Sequence, residues 1–188
     1  MYSVTDETER LQSLRGYRLL DTPNEPEFDA IVRAAADALD APIALISLID
    51  ENRQWFKARV GLDLQESPRS IAFCAHAIRG QETMVVPDAT RDGRFMNNPF
   101  VVNDPSIRFY AGTPLETAEG HRLGTLCVID SKPRDVFAED QRQILEDLAR
   151  QVMVALERRK HRLATTSDTP RSDDMIEAHD AAESPTRD

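Results

Sequence analysis

The chain has 188 residues, of which 33 are acidic and 23 are basic, so its formal net charge is −10. Hydrophobic residues make up 40% and charged residues 30%, which is typical of a globular domain. The acidic balance argues against nucleic acid as a partner, and the longest apolar run, residues 42–49, is too short to span a membrane. The two cysteines are too few for a disulfide scaffold, and no secretory signal begins the sequence, so we expect a cytoplasmic protein.

The negative charge is concentrated near the C-terminus. Residues 163–188 hold seven acids and two bases, which is −5 of the total. They contain no aromatic residue and no valine, so they bury too little apolar surface to offset the entropy of ordering them. We therefore predict a single folded domain over residues 1–162 and an acidic disordered tail over residues 163–188.

Two helices are predicted before the first strand. Asp6 can cap the first helix, and Asn24 can cap the second, with Pro26 in its first turn. The second helix has apolar residues at the spacing of one helical face: Phe28, Ile31, Val32, Ala35, Ala36 and Leu39.

Short apolar runs between turn residues predict an antiparallel sheet. The predicted strands are residues 42–50, 54–60, 84–86, 107–115 and 122–129. Residues 68–79 have a helical stripe, and residues 89–106 are predicted to be mostly loop because they are rich in Gly, Pro and Asn. Helices before, between and after two sequential pairs of strands indicate an α+β fold with helices covering an antiparallel sheet.

Residues 138–162 predict one long helix with a regular apolar stripe. The stripe is formed by Leu145, Leu148, Val152 and Leu156, spaced nearly as in a coiled coil. Such a stripe either covers the sheet or pairs with a second copy of the helix. Its width indicates both roles, and hence a homodimer.

Six stretches of the sequence resemble a known family when they are taken together. In order, they read PIALISLIDE, RQWFK, FCAHAI, VPDA, RFYAGTPL and GTLCVID, beginning at residues 42, 53, 73, 86, 108 and 124. They resemble the GAF domain, in particular the type at the input end of bacterial sensor histidine kinases and diguanylate cyclases. The resemblance covers roughly residues 7–160.

The resemblance implies a sensory module that binds a small molecule or chromophore. It implies a PAS-like central antiparallel sheet with helices on both faces, and a dimer formed through the flanking helices. The sequence has no phosphoacceptor-histidine helix, ATP lid or cyclase signature. We therefore predict a stand-alone sensor that is not an enzyme and that acts on a partner such as a histidine kinase or diguanylate cyclase.

A pocket in such a fold would lie between the sheet, the helix near residue 73 and the following loop. The candidate lining residues are Phe73, Cys74, His76, Asp88, Phe95, Asn98, Arg108, Tyr110, Thr113, Thr125 and Cys127. For Asp88, an ion pair or a backbone-capping role in the loop is an equally open alternative, and for Arg108 this structural role is the favoured interpretation.

The triplet Cys74-Ala75-His76 carries little catalytic chemistry on its own. Residues two apart on a helix point in different directions, and a metal site would need two further ligands, so we predict no metal. The resemblance includes photoreceptors with a bilin attached through Cys next to His, but Ala75 separates the two here, which argues against a bilin. The identity of any ligand stays open.

Two alternatives concern function. Some GAF proteins reduce free methionine-R-sulfoxide with several cysteines, a pattern that two cysteines fit poorly. A redox switch is possible if Cys74 and Cys127 face one pocket. The second alternative is a ligand-free scaffold that serves dimerisation.

Overall fold

The computed structural model describes residues 4–167, so most of the predicted acidic tail lies outside the described residues. The helices are α1 (Val4–Gly16), α2 (Pro26–Ala38), α3 (Phe73–Ala77), α4 (Pro99–Val102) and α5 (Glu139–Ser167), with a 3-10 segment at Arg69–Ile71. The strands are β1 (Ile43–Ile49), β2 (Arg53–Val60), β3 (Glu66–Pro68), β4 (Met84–Val86), β5 (Phe109–Glu116) and β6 (Arg122–Asp130). None of the helices in this part of the chain combines the length and hydrophobicity needed to cross a membrane.

The six strands form one sheet in the order β3-β2-β1-β6-β5-β4. Every neighbouring pair is antiparallel. All seven residues of β1 are buried, because this strand is central and is covered on both faces. The predicted α+β class, an antiparallel sheet with helices on both faces, is confirmed.

The sheet separates two hydrophobic cores. On one face, α2 and α5 pack against residues such as Leu126 and Val128 of β6. On the other face, α3 and the segment before β5 pack against Cys127 and Ile129 of the same strand. Neighbouring residues of one strand therefore serve different cores, as the alternation of side chains along a strand requires.

Helix α2 agrees with its predicted amphipathic face, but the residue at its start differs from the prediction. Glu25, and not Asn24, occupies the N-cap position, and no side chain caps the helix. The Glu25 carboxylate instead accepts hydrogen bonds from Lys57 and Arg159, each at 2.7 Å. Pro26 at the first helical position needs no cap partner because it has no N–H.

Three local predictions are corrected by the structure. The helix predicted over residues 68–79 is a 3-10 turn followed by the five-residue α3, because the backbone at Ala72 is extended. The predicted loop contains the short helix α4, which Asn98 caps by accepting a hydrogen bond from the Phe100 N–H. Helix α5 continues to Ser167, beyond the helix end predicted at residue 162.

The stripe predicted to form a dimer seam is used inside the chain. Leu145, Val152 and Leu156 are buried in the core between α5, α2 and the sheet, and Leu148 packs against the same core. These side chains cover the sheet, as predicted for one of the two roles of the stripe. A homodimer formed through this helix stays a prediction.

Candidate ligand pocket

A small cavity lies on the α3 face of the sheet. It is bounded by side chains from the central strands, from α3 and from the segments around residues 62–64 and 100–107. Its volume is about 30 Å³, whereas one water molecule needs roughly 10–15 Å³ of such space. The cavity in this conformation therefore admits molecules close to water in size. Leu64 lines the cavity and is 45% exposed, so the cavity reaches the protein surface at this residue.

Three of the predicted pocket residues line this cavity: Phe73, Cys74 and Tyr110. Phe73 stacks on Phe95 with the ring centroids 4.0 Å apart, and its ring lies 5.3 Å from that of Tyr110. Phe95 thus supports the wall of the cavity from behind. The Tyr110 ring lies over Gly112, where a Cβ atom would overlap it, so the glycine makes room for the tyrosine.

His76 lies at the edge of this aromatic cluster and not in the cavity. Its ring meets the edge of Phe95 at 4.9 Å between centroids. Burial lowers the pKa of His76, and the charges of Arg79 and Arg94 lower it further. The imidazole is therefore held in its neutral form and acts as an aromatic packing group.

The structure brings the two cysteines together beside the cavity. The Sγ atoms of Cys74 and Cys127 are 3.8 Å apart, and both thiols are free and buried. The Tyr110 hydroxyl donates a hydrogen bond to the Cys74 Sγ at 3.3 Å. Thus α3, β5 and β6 each contribute one group to a buried sulfur cluster formed by Cys74, Cys127 and Tyr110.

The two buried thiols influence each other's pKa because the thiol of one can stabilise the thiolate of the other. Burial raises the pKa of Cys74, but interaction with the Cys127 thiol and with the Tyr110 hydroxyl lowers it below its ordinary value. The interaction with Cys74 raises the pKa of Cys127, and burial raises it further. The hydrogen bond from the Tyr110 hydroxyl therefore favours a thiolate at Cys74.

Three buried polar atoms without a hydrogen-bond partner lie in the central strands next to this cluster or in the cavity wall. Among residues 4–167, the hydroxyl oxygens of Ser47 and Thr125 and the Oε1 atom of Gln54 are buried and accept or donate no hydrogen bond. Ser47 and Thr125 lie opposite each other on β1 and β6. Gln54 lines the cavity itself. Buried polar groups of this kind are places where a small polar molecule would gain hydrogen bonds.

The remaining predicted pocket residues have structural partners elsewhere. The Asp88 carboxylate accepts hydrogen bonds from Thr90, which lower its pKa. Arg108 donates to the carbonyl oxygen of Val101 at 2.9 Å. No ion pair joins Asp88 and Arg108 in the described part of the chain, so the backbone-bonding alternative describes both residues.

Asn98 and Thr113 lie at a distance from the cavity for different reasons. The Asn98 amide donates to the carbonyl oxygen of Ile71 at 2.8 Å and so holds α4 against the 3-10 segment. Thr113 lies on the opposite face of the sheet, where its hydroxyl is 2.8 Å from that of Thr83. The Thr83 hydroxyl in turn donates to Glu146 of α5.

Most of the cavity wall was not predicted from the sequence. The additional residues are Ile43, Leu45, Gln54, Phe56, Leu62, Leu64, Ala72, Phe100, Pro105, Ile107 and Ile129. Along β1 every residue is apolar or buried, so no alternation of polar and apolar residues indicates which side chains face the cavity.

The fold and the cavity together define a class of small α+β domain, and comparison with known proteins gives its family. The GAF domain family matches residues 24–156. The chain therefore belongs to the GAF domain family.

Solved structures support this fold. The GAF domain of the Acinetobacter phosphoenolpyruvate-protein phosphotransferase superposes with a TM-score of 0.60 at 20% identity, covering 84% of this chain and 95% of that domain. A domain assigned to a two-component sensor histidine kinase protein of Sinorhizobium meliloti 1021 also has a TM-score of 0.60, at 22% identity, and covers 74% of this chain and 94% of that domain.

A curated relative is considerably more similar in sequence. The cyclic di-GMP phosphodiesterase PA2567 of Pseudomonas aeruginosa is 47% identical to this chain over 162 residues. The match covers 86% of this chain and 27% of the relative. The chain therefore spans about a quarter of the length of that relative.

This relative corrects the prediction that the protein is not an enzyme. The prediction was based on the absence of catalytic signatures from this sequence, but a chain with 47% identity is named as a phosphodiesterase. The match covers only 27% of that enzyme. The absence of catalytic signatures from these residues therefore gives no information about the remainder of such an enzyme.

Proposed function

We propose that this chain is a sensory and regulatory GAF module of cyclic di-GMP signalling. In this proposal it responds to a small molecule on the α3 face and controls a cyclic di-GMP phosphodiesterase through its terminal helices α1 and α5. The observation that carries the proposal is the 47% identity to a phosphodiesterase over a stretch that is 86% of this chain but 27% of the enzyme.

The two-sided sheet supports a path from the cavity to the helices. Strand β6 directs Cys127 and Ile129 to the cavity face and Leu126 and Val128 to the core beneath α2 and α5. A shift of this strand on ligand binding therefore changes packing on both faces, because closely packed cores transmit displacement.

An ion-pair network connects the sheet to α5 more directly. The Nζ atom of Lys57, which is fully buried on β2, lies 2.7 Å from the Glu25 carboxylate. Arg159 of α5 contacts the same carboxylate at 2.7 Å and donates to the carbonyl oxygen of Tyr17 at 2.9 Å. Glu25 thus links β2, the end of α1 and the C-terminal half of α5, which makes this network the best candidate route for the signal.

The test is a chimera of the Pseudomonas aeruginosa phosphodiesterase in which the matching segment is replaced by this chain. We expect the chimera to hydrolyse cyclic di-GMP. We expect Glu25→Gln in the chimera to change the rate about fivefold or more, the size of a typical allosteric coupling, because two cations lose their shared carboxylate.

Glu27→Gln is the matched control, since Glu27 of α2 contacts Arg158 of α5 only at 3.9 Å and its side chain is 40% exposed. Its chimera should keep the rate of the parent. Equal rates for all three chimeras would overturn the regulatory role.

Ligand binding is tested separately with the isolated chain. A ligand larger than a few atoms requires α3 and residues 99–107 to move away from the sheet, because the cavity is about 30 Å³. Native mass spectrometry of the purified chain should show a retained small molecule. A spectrum with only the mass of the chain would favour the ligand-free scaffold.

A further inference from the structure

We propose that Cys74 and Cys127 form a reversible disulfide when hydrogen peroxide enters the cavity and oxidises Cys74. The inference rests on the position of the two thiols and on the size of the cavity beside them. It does not depend on the relation to cyclic di-GMP signalling.

The distance between the sulfurs suits this reaction. The Sγ atoms are 3.8 Å apart, and a disulfide bond is about 2.05 Å long, so the sulfurs must approach by less than about 2 Å. Cys127 lies on a central strand that is paired on both sides, whereas α3 has only five residues. The approach can therefore be made by α3 while the sheet keeps its register.

The cavity selects the oxidant by its size. Cys74 lines the cavity, while Cys127 lies behind Cys74 and is not part of the wall. A volume of about 30 Å³ accepts hydrogen peroxide, which is little larger than water, but not a bulky organic hydroperoxide. Peroxide that enters from the side of Leu64 therefore meets Cys74 first.

The surrounding groups favour a reaction at Cys74. The Tyr110 hydroxyl donates to its Sγ atom at 3.3 Å, which stabilises a thiolate. The Oε1 atom of Gln54, which lines the same cavity as Cys74 and has no hydrogen-bond partner among the described residues, offers an acceptor for a small polar molecule in the cavity.

The reaction balances in two steps. The Cys74 thiolate attacks one oxygen of hydrogen peroxide, the O–O bond breaks, and the leaving hydroxide takes the thiol proton to form water, which leaves a sulfenic acid on Cys74. The Cys127 sulfur then attacks the sulfenic sulfur, its thiol proton joins the departing hydroxide, and a second water leaves. Each thiol gives up one electron, and peroxide is reduced to water. A dithiol reductant then reduces the disulfide back to the two thiols.

The disulfide would connect the wall of the cavity to the centre of the sheet. Cys74 is on α3, and Cys127 is next to Leu126 and Val128, which pack beneath α2 and α5. Oxidation would therefore restrain α3 against β6 and reduce any opening of the cavity. The pair acts as a modification site whose substrate class is a small peroxide.

The test treats the full reduced chain with hydrogen peroxide, blocks remaining thiols with N-ethylmaleimide after unfolding, and measures intact mass and peptide maps. The reduced chain should take up a maleimide on each cysteine. The oxidised chain should take up none, show a Cys74–Cys127 cross-linked peptide, and recover both thiols with dithiothreitol. Uptake of two maleimides after peroxide, or cross-links only between chains, would overturn the proposal.

Two single variants separate the roles of the cysteines. In Cys127→Ser, the sulfenic acid on Cys74 should persist and react with dimedone. In Cys74→Ser, Cys127 should stay reduced because it does not line the cavity. Dimedone labelling of Cys127 in that variant, or cumene hydroperoxide that oxidises the native chain as fast as hydrogen peroxide does, would contradict the access route.

Discussion

At the scale of single residues, close backbone contact decides what is allowed at Gly124. This glycine lies on β6 opposite Leu48 of β1. A Cβ atom at this position would overlap the carbonyl oxygen of Ser47 on the neighbouring strand. The obstacle is backbone and cannot rotate away, so any larger residue must push the two central strands apart.

We therefore expect Gly124→Ala to lower the free energy of unfolding by about 2 kcal/mol or more, as overpacking in a core does. Urea denaturation measures the change. The control is Gly93→Ala, where a Cβ meets nothing within 4 Å and the change should stay within about 0.5 kcal/mol. Equal midpoints for the two variants would contradict the contact described here.

The two cysteines are a second feature that is decided at the scale of single residues. Cys74 and Cys127 are 53 residues apart in the chain, yet their sulfurs are 3.8 Å apart. Nothing local to either residue indicates its partner. The sequence shows only two cysteines, and the packing of α3 on β6 makes them a buried pair.

At the scale of elements, α5 is a sheet-covering helix. The buried side of the helix carries Leu145, Val152 and Leu156, which pack with α2 and the sheet. Val154 lies on the outer side and is 50% exposed. The apolar stripe is therefore explained by the chain's own core.

Leu156→Ala should reduce the free energy of unfolding by about 2–5 kcal/mol, because it leaves a cavity in the core beneath α5. Val154→Ala on the same helix should change it by less than about 0.5 kcal/mol. Thermal or urea unfolding measures both variants. A change in sedimentation for Leu156→Ala, without loss of stability, would instead support a dimer seam.

At the scale of the whole molecule, charges join elements that are distant in sequence. The Glu7 carboxylate of α1 accepts a hydrogen bond from Arg10 at 2.8 Å and one from Arg69 of the 3-10 segment at 2.6 Å. Burial raises the pKa of Glu7, but these arginines lower it more, to about 2 from an ordinary value of 4.5. Helix α1 is thus held by an ionised carboxylate.

Because the pKa of Glu7 is lower in the folded state, its contribution to stability is complete above about pH 4.5 and is lost as the pH falls towards 2. We expect the native chain to lose more unfolding free energy between pH 6 and pH 3 than Glu7→Gln does, as measured by urea denaturation. Glu9→Gln removes the same charge from α1 at a side chain that is 58% exposed, so it should follow the native chain. An identical pH dependence for all three proteins would show that Glu7 has no such role.

Much of the secondary structure follows from local patterns. The apolar period of α2, five of the six strands and the long α5 were predicted, because alternation and helical spacing are properties of neighbouring residues. The three-residue strand β3 (Glu66–Pro68) was not predicted, because it is too short to show a pattern of its own. The exceptions are equally local in cause. The extended backbone at Ala72 interrupts the helix predicted around it, and Asn98 caps a helix too short to have a recognisable period.

The sequence by itself determined the α+β class, the resemblance to GAF domains and the positions of the longer helices and strands. The tertiary structure decided which face each side chain serves. Thr113 faces α5 and not the cavity, Glu25 joins Lys57 to Arg159, and Cys74 meets Cys127. The physical reason is that strand pairing and helix packing bring together residues that are distant in the chain. In a buried strand such as β1, where all seven residues are covered, the local pattern does not distinguish the two faces.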